Sequence, residues 1–132
     1  MIKYKKRRKY KYILHEDHNY KTKIKLDKPI NTEYLIMNID GELIIKEGYC
    51  WDGPTDPAPD TKNFMQGSLV HDALYQLMRE GYLDRAERDK ADRILRDICI
   101  EDGMFKLFAD FVYKVVKKFG AKYVKSEIIS AP

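Results

Sequence analysis

The sequence predicts an α+β fold: an N-terminal antiparallel sheet of about four strands packed on a C-terminal group of three helices, two of them an antiparallel pair. Three observations lead there. Residues 9–53 alternate apolar and polar side chains with the period of a half-buried strand. Residues 62–120 change to helical periodicity, punctuated by Gly81, Gly103 and Gly120. Between the two lies a segment carrying Pro54, Pro57 and Pro59, which disfavours any regular element. The 132 residues suit one domain, with a β-rich part at 1–53, an ordered Pro/Asp loop at 54–61, a helical part at 62–120 and a tail at 121–132.

Within the first part, Tyr10, Tyr12 and Leu14 mark one strand and His15 to Asn19 a polar turn. Tyr20 to Leu26 alternates again, and Pro29 follows in a turn. Glu33–Ile39 and Glu42–Glu47 are separated by Asp40-Gly41, a hairpin signal of the type I′ kind. His15 and His18 fit no standard ligand spacing and read as a solvated loop. Gly48 to Asp60 reads as an ordered loop in which Tyr49 and Trp51 pack. Its Asp52, Asp56 and Asp60 recur every four residues, and Asp60 or Thr61 suits an N-cap.

Helix one is expected from Lys62 to Arg79, helix two from Asp84 to Glu101, and helix three from Met104 to Phe119. The third is amphipathic, with Phe105, Phe108, Val112, Val115 and Phe119 inward and Lys106, Lys114, Lys117 and Lys118 outward. The last twelve residues are read as a short strand or tail around Tyr123, Val124, Ile128 and Ile129.

Composition narrows the class. Hydrophobic residues at 44% and charged residues at 35% are those of a globular protein. No run reaches the roughly 18 apolar residues of a membrane span, and the basic N-terminus lacks the apolar core of a signal peptide. Cys50 and Cys99 are far apart, which argues against a thiolate metal site or a disulfide framework and fits a reducing cytosol. The first twelve residues hold seven basic groups and no acid; without those seven the net charge of +4 becomes −3. The basic, Tyr-interleaved residues 3–11 are a candidate contact for nucleic acid or an anionic membrane surface, and equally an edge strand or solubilising tail.

The chemistry concentrates on helix one. At about 100° per residue, Phe64, His71, Tyr75 and Met78 share a flank beside the Val70, Leu74 and Leu77 stripe. Gly67, one turn before His71, leaves that flank open above the imidazole. On helix two, Asp92 sits at the edge of the Ala91, Ile94, Leu95, Ile98 and Cys99 stripe and needs a partner, since an unpaired buried charge is costly. Antiparallel pairing of the two helices brings Asp92 toward His71. A carboxylate on one imidazole nitrogen leaves the other as a base for water, with Tyr75 bonded to the same carboxylate. His71, Asp92 and Tyr75 are therefore the candidate catalytic residues. Asp72, about 100° away, and Asp52 are candidate metal ligands, suited with loop carbonyls to a hard cation such as Ca²⁺.

These residues carry two resemblances. Trp51-Asp52-Gly53-Pro54, Asp60-Thr61-Lys62-Asn63, His71-Asp72-Ala73-Leu74-Tyr75 and Arg88-Asp89-Lys90-Ala91-Asp92-Arg93 resemble a family of small bacteriophage and prophage proteins, a domain of unknown function, over about residues 48–120. That resemblance implies a phage setting, in the host cytoplasm or the virion, and no activity. His71-Asp72-x-x-Tyr75 followed by Ala91-Asp92-Arg93 is similar to the H-D-x-x-Y … D helix pair of phospholipase A2. It implies His71 as the base, Asp72 as a calcium ligand, and Asp92 and Tyr75 as supports. The segment Tyr49-Cys50-Trp51-Asp52-Gly53-Pro54 departs from the Gly-rich calcium loop of those enzymes. Three readings stand: a phospholipase- or esterase-like hydrolase, a non-enzymatic phage accessory or virion protein with a buried polar network, and a binding protein whose N-terminal arm meets nucleic acid or a host protein.

Overall fold

The computed structural model describes residues 4–6, 12–52 and 62–124. The fold is α+β, and among the described residues seven antiparallel strands are followed by three helices. The chain divides into two compact units, residues 1–60 and 61–132.

The first unit holds β1 (Tyr4–Lys6), β2 (Tyr12–Leu14), β3 (His18–Lys21), β4 (Ile30–Asn31), β5 (Leu35–Met37), β6 (Glu42–Ile45) and β7 (Cys50–Trp51). They form two sheets rather than the single sheet of about four strands expected: β1-β2-β7 and β3-β6-β5-β4. The second sheet holds three of the expected strands, as β3, β5 and β6, and gains β4 after the Pro29 turn, while the strand expected around Tyr12 and Leu14 is β2 of the first. The first arises because Cys50 and Trp51, expected in a loop, pair with Ile13 and Tyr12. The Tyr12 and Trp51 rings lie 5.5 Å apart across that pair, and cross-strand aromatic contact stabilises so short a ladder. The start of the basic arm, Tyr4–Lys6, is an edge strand on β2; residues 7–11 lie outside the described residues. Alternation sets the core: Leu35 and Met37 on β5 and Leu43 and Ile45 on β6 are fully buried, while Ile36 and Ile44 are half-buried.

The β5–β6 hairpin turns at Asp40-Gly41 by a different geometry from type I′. Gly41 N–H donates to Asn38 O (3.0 Å), and of the loop residues Ile39, Asp40 and Gly41 the glycine alone has positive φ, at 98°. This is a type I turn followed by a left-handed glycine. The Asn38 side chain secures it by accepting from Glu42 N–H at 2.9 Å. A Cβ on Gly41 would also fall 2.5 Å from Ile24 O, so two constraints select glycine. The strand expected over Tyr20–Leu26 leaves the ladder after Lys21, where Thr22 bonds Gly41 O through both N–H and hydroxyl and Lys23 turns to φ 63°. The polar turn is shorter than expected, since His18 already pairs with Ile45.

The second unit is built from α1 (Lys62–Arg79), α2 (Arg88–Glu101) and α3 (Lys106–Phe119), with a 3₁₀ turn at Arg85–Glu87 before α2 and another at Gly120–Val124 after α3. Asp84 caps the first turn by accepting from Ala86 N–H at 2.8 Å. Helices α1 and α2 end in the same way. Tyr82 N–H reaches Leu77 O and Gly81 N–H reaches Met78 O; Met104 N–H reaches Cys99 O and Gly103 N–H reaches Ile100 O. With Gly81 at φ 82° and Gly103 at φ 103°, both are Schellman caps. The second cap holds Met104 outside α3, so that helix starts at Lys106. Gly120 is different: its φ of −77° continues the right-handed path into the 3₁₀ turn. Residues 120–124 thus form a helical turn rather than a strand or tail, with Val124 buried and Tyr123 O accepting from Arg79; residues 125–132 lie outside the described residues.

Helix α3 corrects the expected inward stripe. Ala109 and Val112 are its buried residues, whereas Phe105 is 86% exposed, Phe108 42% and Phe119 57%. The helix approaches α2 through its small and polar side, with Tyr113 O–H donating to Asp89 at 2.5 Å and Arg96 facing Asp110 at 3.9 Å.

Candidate active site

Helices α1 and α2 run antiparallel. Gly67 meets Leu95 and Cys99 at one end, and His71 and Tyr75 meet Asp92 further along. A Cβ on Gly67 would sit 2.9 Å from Leu95 Cδ1 and 3.1 Å from Cys99 Sγ. The glycine therefore serves close helix packing and not access to the imidazole, which corrects the sequence expectation.

That close approach places Asp92, wholly buried, between two donors from α1. Its Oδ1 lies 2.7 Å from His71 Nε2 and accepts from Tyr75 O–H at 2.5 Å. The spacing follows from the helix: residues 71 and 75 are one turn apart, so both side chains reach one atom across the interface. The Tyr75 ring also lies against the imidazole, with centroids 4.1 Å apart. Burial, reinforced by the hydrogen bond to Asp92 and by that carboxylate's charge, pushes the Tyr75 phenol above its ordinary range.

The third partner is Arg88, which the sequence reading did not place in the site. Its Nη1 lies 3.4 Å from Asp92 Oδ2. The same guanidinium donates to Val116 O at 3.3 Å and to Lys117 O at 3.2 Å. These are carbonyls of the last turn of α3, the negative end of its dipole, and Val116 O also accepts from Gly120 N–H. One cation thus satisfies a buried carboxylate and a helix terminus. The available signal was the i, i+4 spacing of Arg88 and Asp92, a helical ion-pair spacing on the residue that needed a partner. Gly120 was also missed as a site residue. A Cβ there would fall 2.5 Å from the Tyr75 hydroxyl and 3.1 Å from Arg88 Nη1, so its lack of a side chain makes room for both.

Among the described residues no buried side-chain nitrogen or oxygen is left without a partner. Asp92 faces a guanidinium, a phenol and an imidazole, an arrangement suited to the ionised carboxylate, which can only accept. Nε2 of His71 is then the donor of that pair. Nδ1 makes no hydrogen bond to the described residues, and the side chain as a whole is 10% exposed. An imidazole held on one nitrogen and open on the other is equipped to accept a proton from water.

Asp72 is half-buried on α1 in the second unit, and Asp52 is exposed after β7 in the first. Among the described residues no group of three or more His, Cys, Asp or Glu side chains is placed to hold an ion. Asp56 and Asp60 lie outside the described residues. No helix among them is long and apolar enough to cross a membrane.

No family model, curated protein or solved structure matches the chain.

Proposed function

We propose that the helical unit carries a hydrolytic site, esterase- or phospholipase-like, in a small phage accessory or virion-associated protein. The supporting observation is the pairing of a wholly buried Asp92 with His71 Nε2, which leaves Nδ1 free of hydrogen bonds to the described residues on a side chain that is 10% exposed. His71 is the general base. Nδ1 takes a proton from water as the oxygen attacks the ester carbonyl carbon, and the imidazolium returns that proton to the alkoxide as the ester bond breaks. Asp92 fixes the ring and stabilises the imidazolium, and Tyr75 and Arg88 hold Asp92. The phage setting is supported by the Trp51–Asn63 and His71–Arg93 motif resemblance.

Hydrolysis of short-chain nitrophenyl esters and of phospholipid esters tests the reading. His71→Gln keeps an amide donor for Asp92 and lacks the base, so it is expected to lose about a hundredfold or more of the rate with its fold intact. A wild-type protein inert on both ester classes overturns the proposal. Calcium binding through Asp72 and Asp52 is a separate proposal, supported by the phospholipase-like spacing. It requires a calcium-dependent rise in thermal stability that Asp72→Ala abolishes.

A second reading is favoured by the complete pairing of the buried polar atoms. In it His71, Tyr75, Arg88 and Asp92 are a structural lock joining α1, α2 and α3, because a satisfied buried network specifies packing without chemistry. It predicts loss of stability in Asp92 variants and no turnover in the wild type.

A further inference from the structure

The apolar face that α3 turns away from its own unit has no role in the hydrolytic site. Leu107 is 85% exposed, Phe108 42%, Phe111 52% and Phe119 57%. On a helix these four fall within one arc of about 120°, with half-buried Val115 in its middle. Phe105, 86% exposed, extends the patch at the helix start. A single exposed Phe or Leu is ordinary on a protein surface; a contiguous strip of this kind marks an interaction site.

Charge indicates what covers it. The helix carries Lys106, Lys114, Lys117 and Lys118 against one acid, Asp110, which Lys106 already holds at 2.8 Å. Lys114 lies just outside the apolar arc at the Leu107 edge and Lys118 just inside it, and the Lys118 ammonium lies 5.4 Å from the Phe119 ring centroid. A second copy docked face to face would bring like-charged lysine rims together, which costs energy as the contact desolvates them. An anionic lipid surface answers both features, taking Phe and Leu at the level of the acyl boundary and lysines at the headgroups.

We propose that α3 docks in the plane of an anionic lipid surface through Leu107, Phe108, Phe111 and Phe119, with Lys114 and Lys118 on the headgroups. The helix is too short and too charged to span a bilayer, so the contact is interfacial. It stands on the exposure and charge of α3 and does not depend on His71 being a base.

Flotation of the full chain with phosphatidylglycerol-containing vesicles, and with phosphatidylcholine vesicles as the neutral control, tests this. The protein is expected to float with the anionic vesicles at low salt and to be released as salt rises. Lys114→Glu/Lys118→Glu is expected to weaken partitioning by at least about tenfold. Leu107→Ser/Phe111→Ser is expected to abolish it with an unchanged circular dichroism spectrum, because both side chains already face solvent. Failure to float with anionic vesicles overturns the proposal, as does undiminished flotation of either double variant. So does a wild-type dimer in sedimentation that Leu107→Ser/Phe111→Ser dissolves, which would assign the face to a second copy.

Discussion

Asp92 has the most at stake of any residue in the helical unit. A carboxylate with no exposed surface is tolerated only while its charge is matched, and here one oxygen takes His71 and Tyr75 while the other faces Arg88. Asp92→Ala strips a partner from each and leaves the guanidinium beside an apolar gap. The expected loss is about 3–5 kcal/mol in denaturant unfolding, against about 1–3 kcal/mol for Tyr75→Phe, which removes one buried donor. Tyr75 also gives a pH signature. Its phenol is raised in the folded protein, so the fold binds that proton more tightly than the unfolded chain does. The stability this supplies is complete below the ordinary tyrosine value of 10.0 and is lost as pH rises above it. Wild type and Tyr75→Phe should therefore converge in unfolding free energy in strong alkali; a constant gap would deny the shift. His71, Tyr75 and Asp92 were legible in the sequence because helical phase is a local property. Arg88 was not, because half of what it does is done at the carbonyl end of α3, which no local pattern places beside it.

Among the elements, the glycines separate two physical reasons for one residue. Gly81 is needed for its left-handed φ of 82°, with nothing within 4 Å of where a Cβ would stand. Gly67 is needed for space against Leu95 and Cys99 on an ordinary helix. Asn tolerates the left-handed region, so Gly81→Asn should cost less than Gly81→Val, since β-branching is worst at positive φ. At Gly67 even alanine should destabilise, by about 1–3 kcal/mol, despite a helix-propensity gain of about 1 kcal/mol. Thermal unfolding of the three variants checks the contrast, and a stabilised Gly67→Ala would refute the close-packing account. The spans of α1 and α2 could be read from the sequence because each has apolar periodicity and a glycine cap. The orientation of α3 could not. Periodicity shows that Phe105, Phe108 and Phe119 segregate from the lysines, and not whether protein covers them. Strand β7 was hidden for a related reason: two residues beside a proline-rich segment carry no period, and its pairing is set by Tyr12, far away in sequence.

At the level of the whole chain, each unit contains one cysteine, Cys50 in the first and Cys99 in the second. Burial, aided by the nearby Asp102 charge, pushes the Cys99 thiol up to about 12, whereas Cys50 is half-buried. Native-state alkylation should label Cys50 first and reach Cys99 when the helical unit opens, because the thiolate is the reacting species; equal labelling rates would contradict the packing around Gly67. The α+β order was legible from the change of period after residue 53, while the split into two sheets was not, since strands of two to four residues are too short to declare their partners. The central claim, that His71 is a base held by Asp92, is tested most directly by comparing ester hydrolysis by the wild type and by His71→Gln at matched stability. Turnover is expected in the wild type, with a loss of about 10²–10⁴ in rate for the variant. A His71→Gln protein that hydrolyses esters as fast as the wild type would contradict it.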